Sequence, residues 1–350
     1  MSAVTETAKP VTSARRRTAK RILRSNEFTI AVAIIVVSIV ITAINPAFLS
    51  VSNIFDLLRL LTVTGILSLG VLLVMISGGV DVSFPAIANV SSFAAATMLL
   101  AAQFNGSGIV FYLIATPIGI ALGLLNGFFV ARFRVPTLIV TLGTSSLFYG
   151  AALFFLGGQS IFTLPAGTIE FSQASLITVP NPSGTGTTSL HPAVLILAVL
   201  AVLVWLLLNH TTLGRQIYAL GGNPTVAERS GVNVHRVQYF IYATVGGLAA
   251  IGGVTYATLY RNANPVGLQG GELAVIAAVV LGGALITGGR GTVIGSLFGV
   301  LLIGIVQNSL VLVGLPATWQ QVAVGIVLII GTGVPALRAL RQRRAANGGS

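Results

Sequence analysis

The chain has 350 residues, of which 55% are hydrophobic and only 7% charged, with a mean hydropathy of +0.95. Soluble domains carry about 25% charged residues, so this composition cannot cover a water-exposed surface. It excludes a soluble enzyme, a disordered chain and a nucleic-acid binder despite the net charge of +12. What remains is a polytopic membrane protein, and without cysteine it has no disulfide framework, thiolate metal site or thiol nucleophile.

Residues 1–27 form a basic tail (Lys9, Arg15, Arg16, Arg17, Lys20, Arg21, Arg24). It serves either as a topology determinant or as a contact for anionic lipid headgroups. The apolar run after it is too long for a cleaved signal peptide, which predicts a retained signal anchor. A membrane helix needs about 20 mostly apolar residues, because its backbone polar groups must be satisfied within the segment. On that rule spans are predicted near 28–44, 55–77, 84–102, 109–131, 136–156, 191–208, 237–258, 273–287, 291–312 and 318–337. The chain therefore reads as an all-α protein with about ten transmembrane helices over 28–337, closed by a second basic tail at 338–350. All but Arg59 and Arg261 of the 19 Lys and Arg fall in the tails or in the loops around 132–134, 209–236 and 290. By the positive-inside rule both termini are cytoplasmic. Asp56 and Arg59 lie three apart, which predicts an intrahelical pair.

Two stretches echo each other. GGVDVSFPAIA, with Gly78, Gly79, Asp81 and Ser83, precedes the third span; GGELAVIAA, with Gly271 and Glu272, precedes the eighth. Downstream, Asn126 is followed by Pro136 and Thr137, as Asn308 is by Pro316 and Thr318. Because the two segments would run in opposite directions, the echo predicts an inverted repeat of the transporter type. Asp81 and Glu272 then have two open roles. They cap helix starts, where a carboxylate is stabilised by free amides, or they line a permeation route with Ser77, Ser83 and Gln269.

The cytoplasmic stretch 209–236, NHTTLGRQIYALGGNPTVAERSGVNVHR, is patterned rather than linker-like. Asn223 suits an N-cap, Pro224 a first helical position and Gly231 the residue past a helix end, so a short helix is expected over about 224–230. Asn233 caps the next helix. Two turns of helix are not stable alone, so packing must hold them.

The runs GRQIYALGGNPTVAERSGVNVHRV, GGELAVIAAVVLGGALITGGRGTVIGSLFGVLLIGIVQNSL and LPATWQQVAVGIVLI, with the earlier GGVDVSFPAIA, closely resemble the ribose, xylose and galactose class of carbohydrate ABC importer permeases. The likeness covers about residues 50–335. It implies a type II ABC importer-like fold in a bacterial inner membrane, and a permease paired with a second permease, either an identical copy or a paralogue. It also implies ABC ATPase subunits that bind ATP and Mg, and an extracytoplasmic sugar-binding protein. Within 209–236 the resemblance implies an ATPase-coupling loop, carried by Arg215, Gly221, Gly222, Asn223, Ala227, Glu228, Arg229, Ser230 and Gly231. Two departures stand out. Val82, Ser83, Phe84 and Pro85 replace the usual Leu, Ser, Val and Gly after the Asp, and the outer loop at 157–190 is longer and richer in Gly, Ser and Thr.

No GxxxxGK[ST] phosphate loop is present, so ATP must be hydrolysed on a partner. The Gly-rich run 288–295 joins two spans rather than a strand and a helix. His191, His210 and His235 lack metal-ligand spacing and are expected at interfaces. No cofactor, catalytic constellation or nucleic-acid partner is expected. A path for a neutral polyhydroxylated solute calls for amides, hydroxyls and an aromatic face. Candidates are Asn89, Ser91 and Ser92, Asn126, Thr141, Thr144, Ser145 and Phe148, and Asn308; the same residues also suit interhelical packing. A gradient-coupled secondary transporter using Asp81 or Glu272 is the alternative reading.

Overall fold

A computed structural model of the chain describes residues 26–180, 186–316, 318–329 and 333. Apart from Asn26 and Glu27, the two expected tails lie outside the described residues. Among the described residues eight helices are long and apolar enough to cross a membrane: α1 (Asn26–Ile44), α2 (Val51–Ile76), α3 (Phe84–Ala101), α4 (Ile109–Phe133), α5 (Thr137–Phe155), α7 (Ala193–His210), α10 (Val234–Tyr260) and α12 (Val293–Leu312). Between them lie α6 (Ala166–Gln173), α8 (Thr212–Gly222), α9 (Pro224–Arg229) and the shorter apolar helix α11 (Glu272–Leu281), and a second short apolar helix, α13 (Trp319–Ile329), follows α12.

Two expectations change. The predicted span at 273–287 is a helix of only 10 residues. That is a rise of about 15 Å, half of a hydrocarbon core roughly 30 Å thick. It stops at Gly282 and Gly283, the latter at φ +93°, a conformation other residues resist. The 157–190 connection also folds, into α6 and an antiparallel hairpin of β1 (Ile177–Pro180) and β2 (Thr187–Leu190), with Ile177 opposite Leu190. The β-branched Ile177, Thr178, Val179, Thr187 and Thr188 favour strand over coil.

Helices α2 and α10 form the buried centre, while α1 and α7 are peripheral. The C-terminal half of α2 is closed off on all sides, with Leu69 and every residue from Val71 to Ile76 fully buried. Helices α4 and α10 approach at backbone distance. A methyl added at Gly246 would sit 2.1 Å from Gly119 O, and one at Gly123 would sit 2.2 Å from Tyr242 O. Small residues at such crossings let dispersion contacts replace the hydrophobic drive that lipid removes.

The loops sort into two faces. A basic face gathers the ends of α2 and α4, the α8–α9 region and the 287–291 turn, and exposes Arg132, Arg134, Arg215, Arg229, Arg236 and Arg290. The far face joins Ile161 to Ala263 and Ser107 to Gly167 through single bridges. The expected Asp56–Arg59 pair does not form. Both side chains are exposed, and among the described residues the one salt bridge is Arg134–Glu228. In high-dielectric surroundings two flexible chains gain little from meeting.

Candidate functional site

The residues between α7 and α10 fold into a knuckle on the basic face. Thr211 leaves α7 in extended conformation, donates to Leu207 O at 2.6 Å and accepts from Gly214 N at 3.0 Å, so one hydroxyl ends a helix and caps the next. Helix α8 buries Ile217 and Leu220 and exposes Arg215. Tyr218, whose hydroxyl pKa is pushed up by burial, donates to Gly291 O at 2.7 Å. At the end of α8, a Cβ on Gly221 would lie 1.8 Å from Ile76 O and 2.6 Å from Gly289 N. Gly289 N itself donates to Ile76 O at 2.8 Å. Gly221 is therefore where the knuckle meets the end of α2 and the 287–291 turn, and no side chain fits there. Gly222, its neighbour, has open space around it.

Asn223 then turns the chain. Its Oδ1 accepts from Val226 N at 3.1 Å, and Pro224 occupies the first position of α9. Ser230 is the C-cap, one residue short of the expected helix end. Val232 N donates to Ala227 O at 3.1 Å and Gly231 N to Glu228 O at 3.0 Å, with Gly231 at φ +85°. This pair of bonds is the Schellman arrangement. Asn233 Oδ1 accepts from Arg236 N at 3.0 Å and starts α10. Of the six residues of α9 only Ala227 is buried; Val226, Glu228 and Arg229 face outward. Glu228 meets Arg134 at 3.6 Å, a partner absent from the sequence reading. Arg134 follows α4 with φ +55°, so the first basic loop and the knuckle touch.

Deeper in the bundle, the GGVDVS segment links α2 to α3 and places Asp81 and Ser83 at zero exposure. Asp81 Oδ1 accepts from Ser83 N and from Ser83 Oγ, both at 2.7 Å. Ser83 Oγ accepts in turn from Asn126 Nδ2 at 2.7 Å. Asp81 Oδ2 and Asn126 Oδ1 have no partner. Ser83, not Asp81, stands at the N-cap of α3, and Pro85 lies in its first turn. Gly78, at φ +92°, and Gly79 set the link against Gly221 and Thr137. The second echo segment comes close to the first. Phe84 and Pro85 face Leu268, Gly271 and Val275 across a cavity of about 130 Å³ that Leu67 of α2 also lines. Both helix starts thus lie at the depth of mid-α2. Glu272 is only half-buried.

Most of the pathway candidates face into their own bundle. Thr141, Thr144 and Phe148 are buried on α5. Thr141 Oγ1 accepts from Val82 N at 3.3 Å, and Thr144 Oγ1 donates to Val140 O at 3.0 Å. Ser92 Oγ donates to Ala88 O at 2.8 Å. Asn89 Oδ1 accepts from Leu268 N at 3.3 Å, and its Nδ2 donates to Tyr149 OH at 3.4 Å. Ser145 and Asn308 are half-buried, and Asn308 Oδ1 is unpartnered. The open face of α5 instead carries Gly143, Ser146 and Gly150, and an added methyl at either glycine would meet nothing within 4 Å. Sequence reasoning missed Tyr149, although it follows Ser145 by one helical turn, and Tyr242, which donates to Thr137 Oγ1 at 2.9 Å.

His191, expected at an interface, is buried. Its Nδ1 accepts from Ala193 N at 3.0 Å, which leaves Nε2 to donate to Phe171 O at 3.0 Å. Burial, with Arg59 nearby as a smaller cause, holds its pKa below the usual histidine range; the Phe171 carbonyl opposes this. Arg261 Nε donates to Ser172 Oγ at 3.0 Å. Helix α6 is pinned from two sides. Among the described residues no three His, Cys, Asp or Glu converge as a metal site.

Comparison with known proteins gives a consistent family. The ribose import permease protein RbsC of Escherichia coli (strain K12) is 32% identical over 306 residues, covering 85% of this chain and 90% of its own. RbsC of Bacillus subtilis (strain 168) is 34% identical over 294 residues, covering 83% and 87%. The autoinducer 2 import system permease protein LsrC of Enterobacter sp. (strain 638) is 33% identical over 311 residues, covering 89% and 86%. No solved structure matches the chain. Residues 53–331 match the family described as branched-chain amino acid transport system / permease component, and the chain belongs to that family of membrane permeases.

Proposed function

We propose that this chain is the membrane-spanning subunit of an ATP-driven importer, passing a monosaccharide or sugar-like solute by alternating access. The observation that carries this reading is the knuckle. A six-residue helix, capped at both ends and exposed on most sides, is joined through Gly221 to the end of α2 and the 287–291 turn. Force applied to α9 passes through Gly221 to the buried end of α2 and to the 287–291 turn, because Gly221 abuts both Ile76 O and Gly289 N, which are bonded to each other. The exposed Val226, Glu228 and Arg229 then present the surface for an ABC ATPase, which binds ATP and Mg. The basic face, and with it both termini, is cytoplasmic. The far face receives a sugar-binding protein. A second permease packs on the open side of α5, where Gly143, Ser146 and Gly150 permit close approach. The likeness to ribose and autoinducer 2 permeases supports the sugar-like substrate class.

A second reading, a gradient-coupled transporter using Asp81, draws on the unpartnered Oδ2 of that buried carboxyl. Uptake assays in proteoliposomes separate the two. Accumulation of ribose that requires a partner ATPase, binding protein and hydrolysable ATP is the expected outcome. Uptake by the lone chain driven by a proton or sodium gradient overturns it.

A further inference from the structure

On the far face, well away from the knuckle, a groove of about 1160 Å³ opens between α4, α6 and α7. Leu113 and Pro117 of α4 and Ile196 of α7 form its walls, and Asn105, Ser107 and Glu170 gather at its far-face end. The volume exceeds the roughly 300–1,000 Å³ of small-molecule pockets. The helices beside it present lipid-facing side chains: Leu113 is 64% exposed and Leu195 52%. Pro117 has no N–H, so the Leu113 carbonyl lacks its usual helical donor four residues on.

The rim is preformed. Gly167 at the start of α6 is bridged to Ser107, and a Cβ there would lie 2.1 Å from Gly106 O. The His191 and Arg261 hydrogen bonds fix the other end of α6. Glu170 is exposed at this rim, with no basic group within salt-bridge distance among the described residues. The first amides of α4 are already satisfied, Ile109 N by Ser107 Oγ at 3.4 Å, Val110 N by Ser107 O at 3.1 Å and Phe111 N by Gly108 O at 3.2 Å, which leaves Glu170 as the charged group at the rim.

We propose that this groove holds an acyl chain of a membrane phospholipid whose headgroup carries a primary amine. The chain lies along Leu113, Pro117 and Ile196, and the ammonium pairs with Glu170 at the rim. A carboxylate at the rim disfavours an anionic headgroup without an amine, which gives the site its selectivity. The inference is independent of what the protein transports.

The test uses the full-length chain in vesicles of equal parts phosphatidylethanolamine and phosphatidylglycerol. The chain is extracted in mild detergent, and the retained lipid is counted by native mass spectrometry. Wild type is expected to retain phosphatidylethanolamine in preference. Glu170→Gln, at an exposed site that does not threaten folding, is expected to lower that preference about two- to fivefold, the effect of losing one exposed ion pair. Ile196→Trp is expected to reduce total retained lipid by filling the groove. Equal retention of the two lipids by wild type, or an unchanged preference in Glu170→Gln, overturns the proposal. So does efficient disulfide formation between two copies carrying Leu113→Cys and Ile196→Cys, a clean measurement in a chain without native cysteine, because a second copy would then occupy the groove.

Discussion

Asn126 donates from Nδ2 to Ser83 Oγ at 2.7 Å, tying α4 to the N-cap of α3 across 43 residues of chain. Ser83 passes the connection on, since its hydroxyl donates to Asp81. The three side chains form one buried unit inside an otherwise apolar bundle, and loss of any member strands the others.

Ser83→Ala removes the Asn126 acceptor and one Asp81 donor together, and Asn126→Leu removes the amide. Each is expected to cost about 1–3 kcal/mol, the penalty for leaving a buried polar group unmade. The double variant is expected to be less damaging than the sum by about 0.5 kcal/mol or more, because both substitutions break the same bond. Thermal unfolding of the four purified proteins in detergent measures the coupling, and strict additivity would count against a shared unit.

The paired glycines of the knuckle should separate. Gly221→Ala places its methyl 1.8 Å from Ile76 O, so a loss of about 1–3 kcal/mol or more and poor yield are expected. Gly222→Ala meets nothing and should leave the melting midpoint near that of wild type. A bulky residue at Gly222 is therefore the sharper probe of coupling. Gly222→Trp should insert normally yet lower solute taken up per ATP hydrolysed in the reconstituted system.

Far-face stability should fall in acid. The His191 pKa is held down by burial, so the unfolded chain takes up a proton before the folded one does. Stability is complete above the ordinary histidine pKa of about 6.5 and declines as pH drops below it, at no more than about 1.4 kcal/mol per pH unit for one proton. Protonation also turns Nδ1 into a donor facing Ala193 N, which breaks that cap. Melting midpoints between pH 7.5 and about 5 should show the decline, and His191→Asn should flatten it.

The Arg134–Glu228 bridge joins side chains that are 74% and 56% exposed, so its contribution to stability is small and weakened by salt. Glu228→Gln should leave thermal stability unchanged within error. If α9 presents Glu228 to an ATPase, the same substitution should weaken co-purification with that partner more at low salt than at high. Equal retention at both would assign Glu228 to the bridge alone.

Sequence by itself determined the solvent class, the positions of the long spans and the local shape of the knuckle. These are short-range matters. Twenty apolar residues in a row, an Asn before a Pro and a Gly after two helical turns each act on backbone within a few residues, so Asn223, Gly231 and Asn233 could be read directly. Tertiary structure decided the rest. That Gly221 and not Gly222 is the point of contact depends on Ile76 and Gly289, brought in from other parts of the chain. The stripe Thr141, Thr144 and Phe148 has the spacing of a pore lining, but which way it faces depends on where α3 packs, and helical period fixes a face without fixing its neighbour. The Asp81–Ser83–Asn126 unit, the α6 platform held by His191 and Arg261, and the groove above Pro117 exist only because distant segments meet, and the free energy that brings them together is summed over the whole bundle.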